Sequence, residues 1–449
     1  MTVIELGLVT DGGEQPPAGP SRRGLRRNEL RRVLVAVVAI VCVLTVTGSA
    51  RPDPHGPQRL WSTPFQQGAD SFMVSGDAAY VLAQAGTTRV TAYDLRTGAV
   101  RWSNSNIGSP NWLGQIQAGV LLLPGDYATA RFTDLDGTEI SREFTRDTVA
   151  VDTATGRRLW HRPGEMSVAT DDRVLLTEWN DDGSRVTTLR VVRISDGVDI
   201  WSRPAGHLAV WVTDTLERSE PGRLVTATAK GEVEVLDLAD GSVVAAATLP
   251  WGRRSAPDNQ DTALTMQGHR LYVQRAEQER TSITAYDTET LRRMWHIESD
   301  TLGGAYDCGP VLCMRGPDGA SGYDSDTGEL RWRLPGSPDA FPLGGGKLLV
   351  DDDESGVRHH LVDVATGRRL ADLGTGSPVW NYTTAASPYL LANTREPAGL
   401  VSISQYDERS GELLLRGTMP PVIEYGCQSA GSLLACVTQD GLLAVTDVG

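Results

Sequence analysis

Four of the five cysteines form two close pairs whose spacing suggests chemistry. Cys308 and Cys313 are five residues apart, Cys427 and Cys436 are nine apart, and each pair flanks a short turn between apolar segments. Two thiols placed in this way can form a disulfide between adjacent strands, and the spacings fit a four-cysteine zinc site poorly. We therefore predict two disulfides, which form and persist outside the cytoplasm. Cys42 lies in an apolar run and is predicted to be inert.

An acidic run close to two histidines is the second candidate for chemistry. Residues 351–354 read Asp-Asp-Asp-Glu and are followed by His359 and His360. Such a run can bind Ca²⁺, although a solvated turn is the more common use of the same residues. Neighbouring residues of a strand point to opposite faces, so we do not expect the two histidines to share one metal ion. We predict no catalytic, cofactor-binding or metal-binding residue, and no cofactor.

These residues lie within a repeated unit that must position them. In Val90–Trp102 an alternating apolar strand ends in Asp94, a Thr-Gly turn follows at Gly98, and a second strand ends in Trp102. The aspartate can accept hydrogen bonds from turn amides, the glycine permits a positive φ, and the tryptophan can fill the space between neighbouring sheets. We predict this structural docking role for Asp94, Gly98, Trp102, Asp152, Gly156, Trp160, Trp201, Asp287, Trp295, Asp324, Gly328 and Trp332.

The spacing of the repeat predicts an all-β propeller. Eight copies of the turn marker recur about 45 residues apart, a period typical of four-stranded propeller blades. Residues 58–64 match only the last strand of a unit, whereas residues 442–449 match only the strand before it. Pairing of the two ends would close the ring and remove two exposed sheet edges. Counting the split unit gives nine blades, but a diverged insert can imitate a repeat. We therefore predict eight, within a range of seven to nine.

The first 57 residues differ in character from the repeats. Residues 1–32 are Gly-rich, Pro-rich and then Arg-rich, and we interpret them as a disordered cytoplasmic tail. The uncharged run of residues 33–50 is long enough for one transmembrane helix, and the preceding arginines predict a cytoplasmic N-terminus. Cleavage after Ala50 would instead give a secreted protein. Residues 51–57 form a Pro-rich spacer, and residues 58–449 form the propeller.

The composition excludes one class of partner. With 57 acidic and 42 basic residues, the formal net charge is −15. A general nucleic-acid-binding protein needs a basic surface for phosphate contacts, so we expect no nucleic acid to bind. The strong preference for Arg over Lys suggests a bacterial, GC-rich genome rather than a binding site.

The repeat resembles a known family. The pattern Ala-x-Asp-x-x-Thr-Gly-x-x-x-Trp, best seen at residues 92–102 and 150–160, is similar to the docking motif of the PQQ-like, or quinoprotein-type, β-propellers. The resemblance covers roughly residues 58–449. It implies either a quinone-dependent alcohol dehydrogenase or a non-enzymatic propeller such as the outer-membrane assembly factor. The dehydrogenases use adjacent cysteines above the quinone, which this sequence lacks, so no catalytic residue is carried over.

The sequence therefore favours a membrane-anchored, extracytoplasmic propeller that binds or scaffolds other proteins and is not an enzyme. Its expected partners are the membrane and another extracytoplasmic or membrane protein. The alternatives are a PQQ- or metal-dependent extracytoplasmic enzyme and a ligand-sensing ectodomain. A sensor would need an output domain, and a cytoplasmic tail of residues 1–32 leaves little room for one.

Overall fold

The computed structural model describes residues 56–133, 139–214, 222–252, 262–277, 280–299, 303–316, 318–337, 340–352, 358–379, 389–407 and 409–449. The chain divides into two compact units, residues 1–54 and residues 55–449, and all described residues belong to the second. The predicted tail, the predicted transmembrane segment and Cys42 lie outside the described residues. In the part of the chain that is described, no helix has the length and apolar character needed to cross a membrane.

Nine antiparallel four-stranded sheets follow one another along the chain, and we number them as blades 1 to 9. Their strands are as follows. Blade 1 contains β2 (Ser71–Ser75), β3 (Ala78–Ala83), β4 (Arg89–Asp94) and β5 (Val100–Asn104). Blade 2 contains β6 (Gln115–Gln117), β7 (Val120–Pro124), β10 (Asp147–Asp152) and β11 (Arg158–Pro163), with a separate hairpin of β8 (Tyr127–Thr133) and β9 (Glu139–Thr145). Blade 3 contains β12 (Glu165–Ala169), β13 (Arg173–Trp179), β14 (Val186–Arg193) and β15 (Asp199–Pro204).

The next three blades repeat this plan without an inserted hairpin. Blade 4 contains β16 (Leu208–Thr213), β17 (Arg223–Thr228), β18 (Glu232–Asp237) and β19 (Val243–Thr248). Blade 5 contains β20 (Thr262–Gln267), β21 (Arg270–Glu277), β22 (Arg280–Asp287) and β23 (Arg293–Ser299). Blade 6 contains β24 (Ala305–Asp307), β25 (Val311–Met314), β26 (Gly319–Asp324) and β27 (Leu330–Pro335).

The last three blades complete the ring. Blade 7 contains β28 (Ala340–Gly344), β29 (Lys347–Asp351), β30 (Arg358–Asp363) and β31 (Arg369–Thr375). Blade 8 contains β32 (Ser377–Val379), β33 (Tyr389–Asn393), β34 (Val401–Asp407) and β35 (Glu412–Met419). Blade 9 contains β36 (Val422–Ala430), β37 (Leu433–Thr438), β38 (Leu442–Asp447) and, from the other end of the chain, β1 (Gln58–Pro64).

Blade 9 joins the two ends of the propeller, as the terminal sequences predict. Strand β1 pairs antiparallel with β38, with Gln58 opposite Asp447 and Pro64 opposite Leu442. The C-terminal segment therefore supplies three strands of the sheet and the N-terminal segment supplies the fourth. Because the fourth position is filled, the propeller has no missing outer strand at the point where its ends meet.

The number of blades is nine, which corrects the favoured count of eight and lies within the predicted range. Each turn marker belongs to its own four-stranded sheet, including the marker at which Leu291 replaces glycine. The insert that does not form a blade is the hairpin β8–β9, which lies between the second and third strands of blade 2. Counting the markers and the split unit gives the observed number, because this insert carries no docking turn.

The antiparallel order gives the propeller two different faces. The turns between first and second strands, and between third and fourth strands, lie on one face, which we call the docking face. The turns between second and third strands and the links between blades lie on the other, which we call the connection face. First strands of neighbouring blades approach one another, for example through Thr265 Oγ1 to the Ala305 carbonyl at 3.2 Å. They therefore surround the centre of the ring.

The core lies between blades rather than within any one of them. Second strands are almost wholly buried, as in β7, where all five residues from Val120 to Pro124 are buried. One apolar cluster joins Tyr80, Val90 and Trp102 of blade 1 to Leu121 and Val149 of blade 2. Similar clusters join other neighbouring blades. Each sheet therefore buries both faces against its neighbours, which explains the continuous apolar runs in these strands.

A tryptophan from the fourth strand of one blade packs on the next blade at six interfaces. Trp102 Nε1 donates a hydrogen bond of 2.8 Å to the Thr153 carbonyl. A Cβ atom added to Gly156, where φ is +71°, would lie only 2.5 Å from the same indole ring. We call such contacts docked interfaces. The other five are Trp61 on Gly98, Trp160 on Gly197, Trp201 on Gly241, Trp295 on Gly328 and Trp332 on Gly367.

An aspartate four residues before the docking glycine shapes the turn at five of the six docked interfaces, and Arg193 takes its place before Gly197. Asp94 Oδ1 accepts hydrogen bonds from the backbone N–H of Thr97 at 2.9 Å and from its hydroxyl at 2.8 Å. Arg101 donates to the other carboxylate oxygen at 2.7 Å, and these bonds lower the pKa of Asp94. The same threonine contacts recur at Asp152, Asp287 and Asp324. The predicted docking residues are therefore part of the scaffold on the docking face.

Candidate functional site

A groove of about 550 Å³ opens on the connection face between blades 8 and 9. One side is formed by the link from blade 7 to blade 8 and by the ends of β33 and β34. The other side is formed by the start of β36. The lining residues are Thr375, Gly376, Ser377, Pro378, Leu391, Ala392, Asn393, Val401, Val422, Ile423, Glu424, Tyr425, Cys427 and Gln439. Glu424 is the one side chain of this set that carries a charge at neutral pH.

The blade 9 side of the groove is a bulge in β36. Val422 pairs with Thr438, but the next pair is Cys427 with Cys436, so the intervening residues leave the regular ladder. Tyr425 within this bulge has a positive φ of 56° and is 59% exposed. A strained, non-glycine residue of this kind persists only where its surroundings fix it. The bulge therefore displays an aromatic ring at the groove instead of burying it.

A disulfide fixes β36 to β37 immediately after the bulge. Cys427 and Cys436 are directly opposite each other in the ladder and are bonded, and both are buried. The bond prevents the two strands from separating at the point where the irregular segment ends. The second predicted disulfide, Cys308–Cys313, is also present and joins β24 to β25 in blade 6, away from the groove. Both pairings predicted from the sequence are confirmed.

The link from blade 7 to blade 8, which forms part of one wall of the groove, is held by a buried histidine. His359 Nε2 lies 2.7 Å from the carbonyl of Gly376, and its Nδ1 lies 2.7 Å from Asp351 Oδ1. Both ring nitrogens therefore lie within hydrogen-bonding distance of an oxygen atom. His359 is 3% exposed. It therefore acts as a brace between β30 and the link that lines the groove.

The two adjacent histidines lie on opposite sides of their strand, as the sequence predicts. His360 Nδ1 is 2.5 Å from Asp352 Oδ1, and burial of the imidazole lowers its pKa. The carboxylates nearest to the two rings are thus different residues. The rest of the acidic run, Asp353 and Glu354, lies outside the described residues. Among the residues that are described, no group of three or more His, Cys, Asp or Glu could hold a metal ion.

A second feature of the connection face is the hairpin β8–β9, which packs over blade 3. The guanidinium carbon of Arg142 lies 3.8 Å from the centre of the Trp179 ring, and Trp179 also contacts Phe144 and Trp211. Trp179 Nε1 donates to Glu165 Oε2 at 2.9 Å, while burial raises the pKa of that carboxyl. These aromatic and charged groups are occupied with one another. The hairpin cluster is therefore a structural contact, and the groove is the better candidate for a binding site.

The groove could not be identified from the repeat signature, because none of its lining residues belongs to the docking pattern. The sequence does show where the docking tryptophan is missing. Blades 7 and 8 have Ala371 and Leu415 four residues after the turn marker, where five other strands have tryptophan and blade 4 has Ala245. Leu415 is 67% exposed. The groove thus lies in the sector where the regular docking contacts stop.

Comparison with known proteins places this geometry in a family. The family described as outer membrane protein assembly factor BamB (PQQ_2) matches residues 18–104 and 149–337, which together exceed half of the chain. No curated protein sequence matches the chain.

Solved structures are similar to the chain at low sequence identity. BamB from Moraxella catarrhalis is 15% identical over 87% of this chain and 99% of its own, with a TM-score of 0.44. A eukaryotic initiation factor is 10% identical over 80% and 90%, with a TM-score of 0.51. The quinohemoprotein alcohol dehydrogenase ADHIIG from Pseudomonas putida HK5 is 14% identical over 62% and 61%, with a TM-score of 0.39.

These structural likenesses concern the fold alone, whereas the family match rests on the sequence of the repeats. The docking turns of blades 1 to 6 lie almost entirely within the matched residues. The nine-bladed all-β propeller is consistent with that assignment. The chain belongs to the PQQ-like β-propeller family described as outer membrane protein assembly factor BamB.

Proposed function

We propose that this chain is a membrane-anchored, extracytoplasmic β-propeller that binds a partner protein and holds it in place. The observation that carries the proposal is the groove between blades 8 and 9, with Tyr425 displayed at its edge. The family to which the chain belongs supports the same reading, because its description is that of an assembly factor.

The chemistry of the groove suits a polypeptide segment. Apolar contact comes from Val422, Ile423, Leu391 and Pro378, and hydrogen-bonding groups come from Asn393. An exposed tyrosine combines a large apolar surface with a polar hydroxyl, a combination enriched in protein interfaces. The disulfide Cys427–Cys436 and the His359 brace limit the movement of both sides. A preformed groove loses less conformational entropy on binding than a flexible one.

The membrane anchor and the location outside the cytoplasm are proposals from the sequence of residues 21–50. The arginines before the apolar run favour a cytoplasmic N-terminus, which would place the propeller on the other side of the membrane. The two bonded cysteine pairs fit an oxidising compartment. Cleavage after Ala50 would release the same propeller as a secreted protein.

The proposal includes no catalytic activity. His359 is hydrogen-bonded to Asp351 and to the Gly376 carbonyl, which gives it a structural use. Purified protein can be assayed for quinone absorbance and for calcium-dependent reduction of an electron-acceptor dye. Activity of that kind would contradict the proposal and favour a quinone-dependent or metal-dependent enzyme.

Site-specific crosslinking in membranes tests the binding role directly. A photo-crosslinking amino acid at Tyr425 should yield a discrete protein adduct that is absent when the same group replaces Val243, a 48% exposed residue of blade 4. Changing Ile423 to glutamate should remove the adduct by placing a charge in the groove. An adduct pattern that is the same at both positions, or that survives the Ile423→Glu change, would contradict the proposed site.

A further inference from the structure

Four consecutive residues of β36 line the groove, an arrangement that a regular strand does not give. They are Val422, Ile423, Glu424 and Tyr425, and successive side chains of a regular strand would point to opposite faces of the sheet. The bulge removes this alternation, because residues 423–426 lie between two ladder pairs that only one residue separates on β37. A carboxylate and an aromatic ring that are adjacent in the sequence therefore line the same cavity.

Contacts at both ends hold the bulge in this shape. A Cβ atom added to Gly426 would lie 2.2 Å from Ile423 Cγ1, so the isoleucine side chain folds back against the glycine backbone. Ile423 is partly buried and packs on the apolar cluster that joins blades 9 and 1. The bonded Cys427 follows Gly426 directly. Glu424 and Tyr425 are thus displayed on a segment that is fixed before a partner arrives.

The Glu424 side chain is exposed and has no hydrogen bond or ion pair with any other residue of the described chain. By contrast, Glu178 of β13 pairs with Arg190 at 2.7 Å, and Glu234 of β18 pairs with Arg203 at 3.3 Å. A carboxylate that lines a groove without such a partner is available to a cation from outside the chain.

The aromatic ring beside Glu424 favours the same kind of ligand. The Tyr425 ring is 59% exposed and forms no ring contact or hydrogen bond with another described residue. The face of a tyrosine ring attracts a cation, and the attraction is stronger where the site is shielded from water. Among the described residues that line the groove there is no Arg or Lys. The carboxylate and the ring are therefore complementary to a positive charge that the groove itself does not contain.

We infer that the groove binds a partner segment that carries an arginine or lysine side chain, which contacts the Glu424 carboxylate and the Tyr425 ring. The hydrocarbon stem of such a side chain can lie along the apolar wall while its charged end stays at the polar edge. An acidic segment would be repelled by Glu424, so the same contact contributes specificity. This inference rests on the proposed function, because it specifies the chemistry of the partner at the same groove.

Random seven-residue peptides displayed on phage provide a probe that assumes no particular partner. They are selected in parallel on the full-length chain in detergent, on Glu424→Gln and on Glu412→Gln. We expect Arg or Lys to be enriched on the unmodified chain and this enrichment to be lost on Glu424→Gln. Glu412, an exposed glutamate at the start of β35 in blade 8, is the matched control, and its change should leave the enrichment intact.

Titration of the leading selected peptide by fluorescence anisotropy measures the contact. Replacing its basic residue by a neutral counterpart, citrulline or norleucine, should weaken binding about tenfold, because both cation contacts are lost. Glu424→Gln should weaken binding about fivefold and Tyr425→Leu about threefold, whereas Tyr425→Phe keeps the ring face and should bind as the unmodified chain does. On Glu424→Lys, a peptide with glutamate in place of the basic residue should bind more tightly than the original peptide.

Hydrogen exchange locates the bound peptide and separates the possible failures. Binding at the groove should slow exchange in residues 375–378 and 422–427. Peptides that protect these residues but show no preference for a basic side chain would overturn the inference and leave the proposed binding role intact. Binding that is as tight on Glu424→Gln as on the unmodified chain would do the same. If no peptide is enriched, or if protection lies elsewhere, the inference and the proposed groove both fail.

Discussion

Blades 1 to 3 and blades 7 to 9 are built from the same repeat but differ in how they meet. In the first sector every interface has a tryptophan over a glycine, as in Trp102 on Gly156. In the second, Ala371 stands in the tryptophan position, no atom of the described residues lies within 4 Å of a Cβ placed on Gly411, and a groove opens between blades 8 and 9. The comparison teaches that the repeat specifies the packing between blades, and that the candidate groove lies in a sector where the pattern is interrupted.

The largest expected effect is loss of a docked tryptophan. Trp160→Ala should reduce the free energy of unfolding by about 3–5 kcal/mol, because it removes a buried aromatic side chain and leaves a cavity. It also removes the 2.7 Å hydrogen bond to the Ile194 carbonyl. Urea denaturation measures the change. Val198→Ala, at a 45% exposed position in the next blade, serves as the control and should change stability by less than about 0.5 kcal/mol.

A matched pair of glycine substitutions measures the contrast between a covered and an open turn. Gly156→Ala and Gly411→Ala impose the same backbone strain, about 1 kcal/mol, since φ is +71° and +73°. Only the first also forces a Cβ against an indole, which should cost about 1–3 kcal/mol more. Equal losses of stability in the two variants would show that Gly411 is covered as closely as Gly156.

A double-mutant cycle tests the interface between blades 4 and 5, where Ala245 takes the tryptophan position and the buried Leu291 takes the glycine position. Ala245→Trp should clash with Leu291, and Leu291→Gly should leave a cavity, so each single change destabilises the protein. The double variant recreates the tryptophan-on-glycine arrangement. Its stability should exceed the sum of the single effects by at least about 1 kcal/mol. If the two single changes have additive effects on thermal and urea unfolding, the side chains at positions 245 and 291 do not contact each other.

The smallest expected effect concerns the turn aspartates. The hydrogen bonds from Arg331 and Thr327 lower the pKa of Asp324 to about 2, below its ordinary value of 3.8. Its contribution is therefore complete above the ordinary value and is lost as the pH falls towards 2. Asp324→Asn should cost less than about 1 kcal/mol at neutral pH, and this cost should vanish in acid. The pKa of Asp407 is lowered chiefly by one hydrogen bond, from the Arg409 backbone N–H. Asp407→Asn should therefore show a smaller difference between neutral and acid unfolding curves.

Much of the scaffold could be predicted from the sequence because one local pattern performs the same physical task in many copies. Asp94 indicates a turn, Gly98 indicates a positive φ, and Trp102 indicates a side chain that fills the space between blades. The split unit at the chain ends predicts the pairing of β1 with β38. The turn markers and the split unit together give nine, the number observed. The sequence alone could not show that the diverged insert forms a hairpin outside the ring.

The groove could not be predicted in the same way, since it depends on tertiary placement of unrelated segments. Residues 375–378, 391–393 and 422–425 are distant in sequence and share no motif. The bulge that exposes Tyr425 results from a register shift in β36, which periodicity does not reveal. The contact between blades 7 and 8 is intermediate, because the alanine at 371 is visible in the sequence but the packing around Gly411 is not.

The pairing of β1 with β38 sets an order for folding during synthesis. Blades 1 to 8 each use strands from one continuous stretch, so each can assemble soon after it emerges from the ribosome. Strand β1 is made before all of them, yet its partner, β38, is made last. The earliest strand therefore waits as an unpaired edge for nearly the whole of translation, and the ring closes in one late step. An incomplete chain would expose that edge to pairing with other chains, which makes truncated products of this protein prone to aggregate.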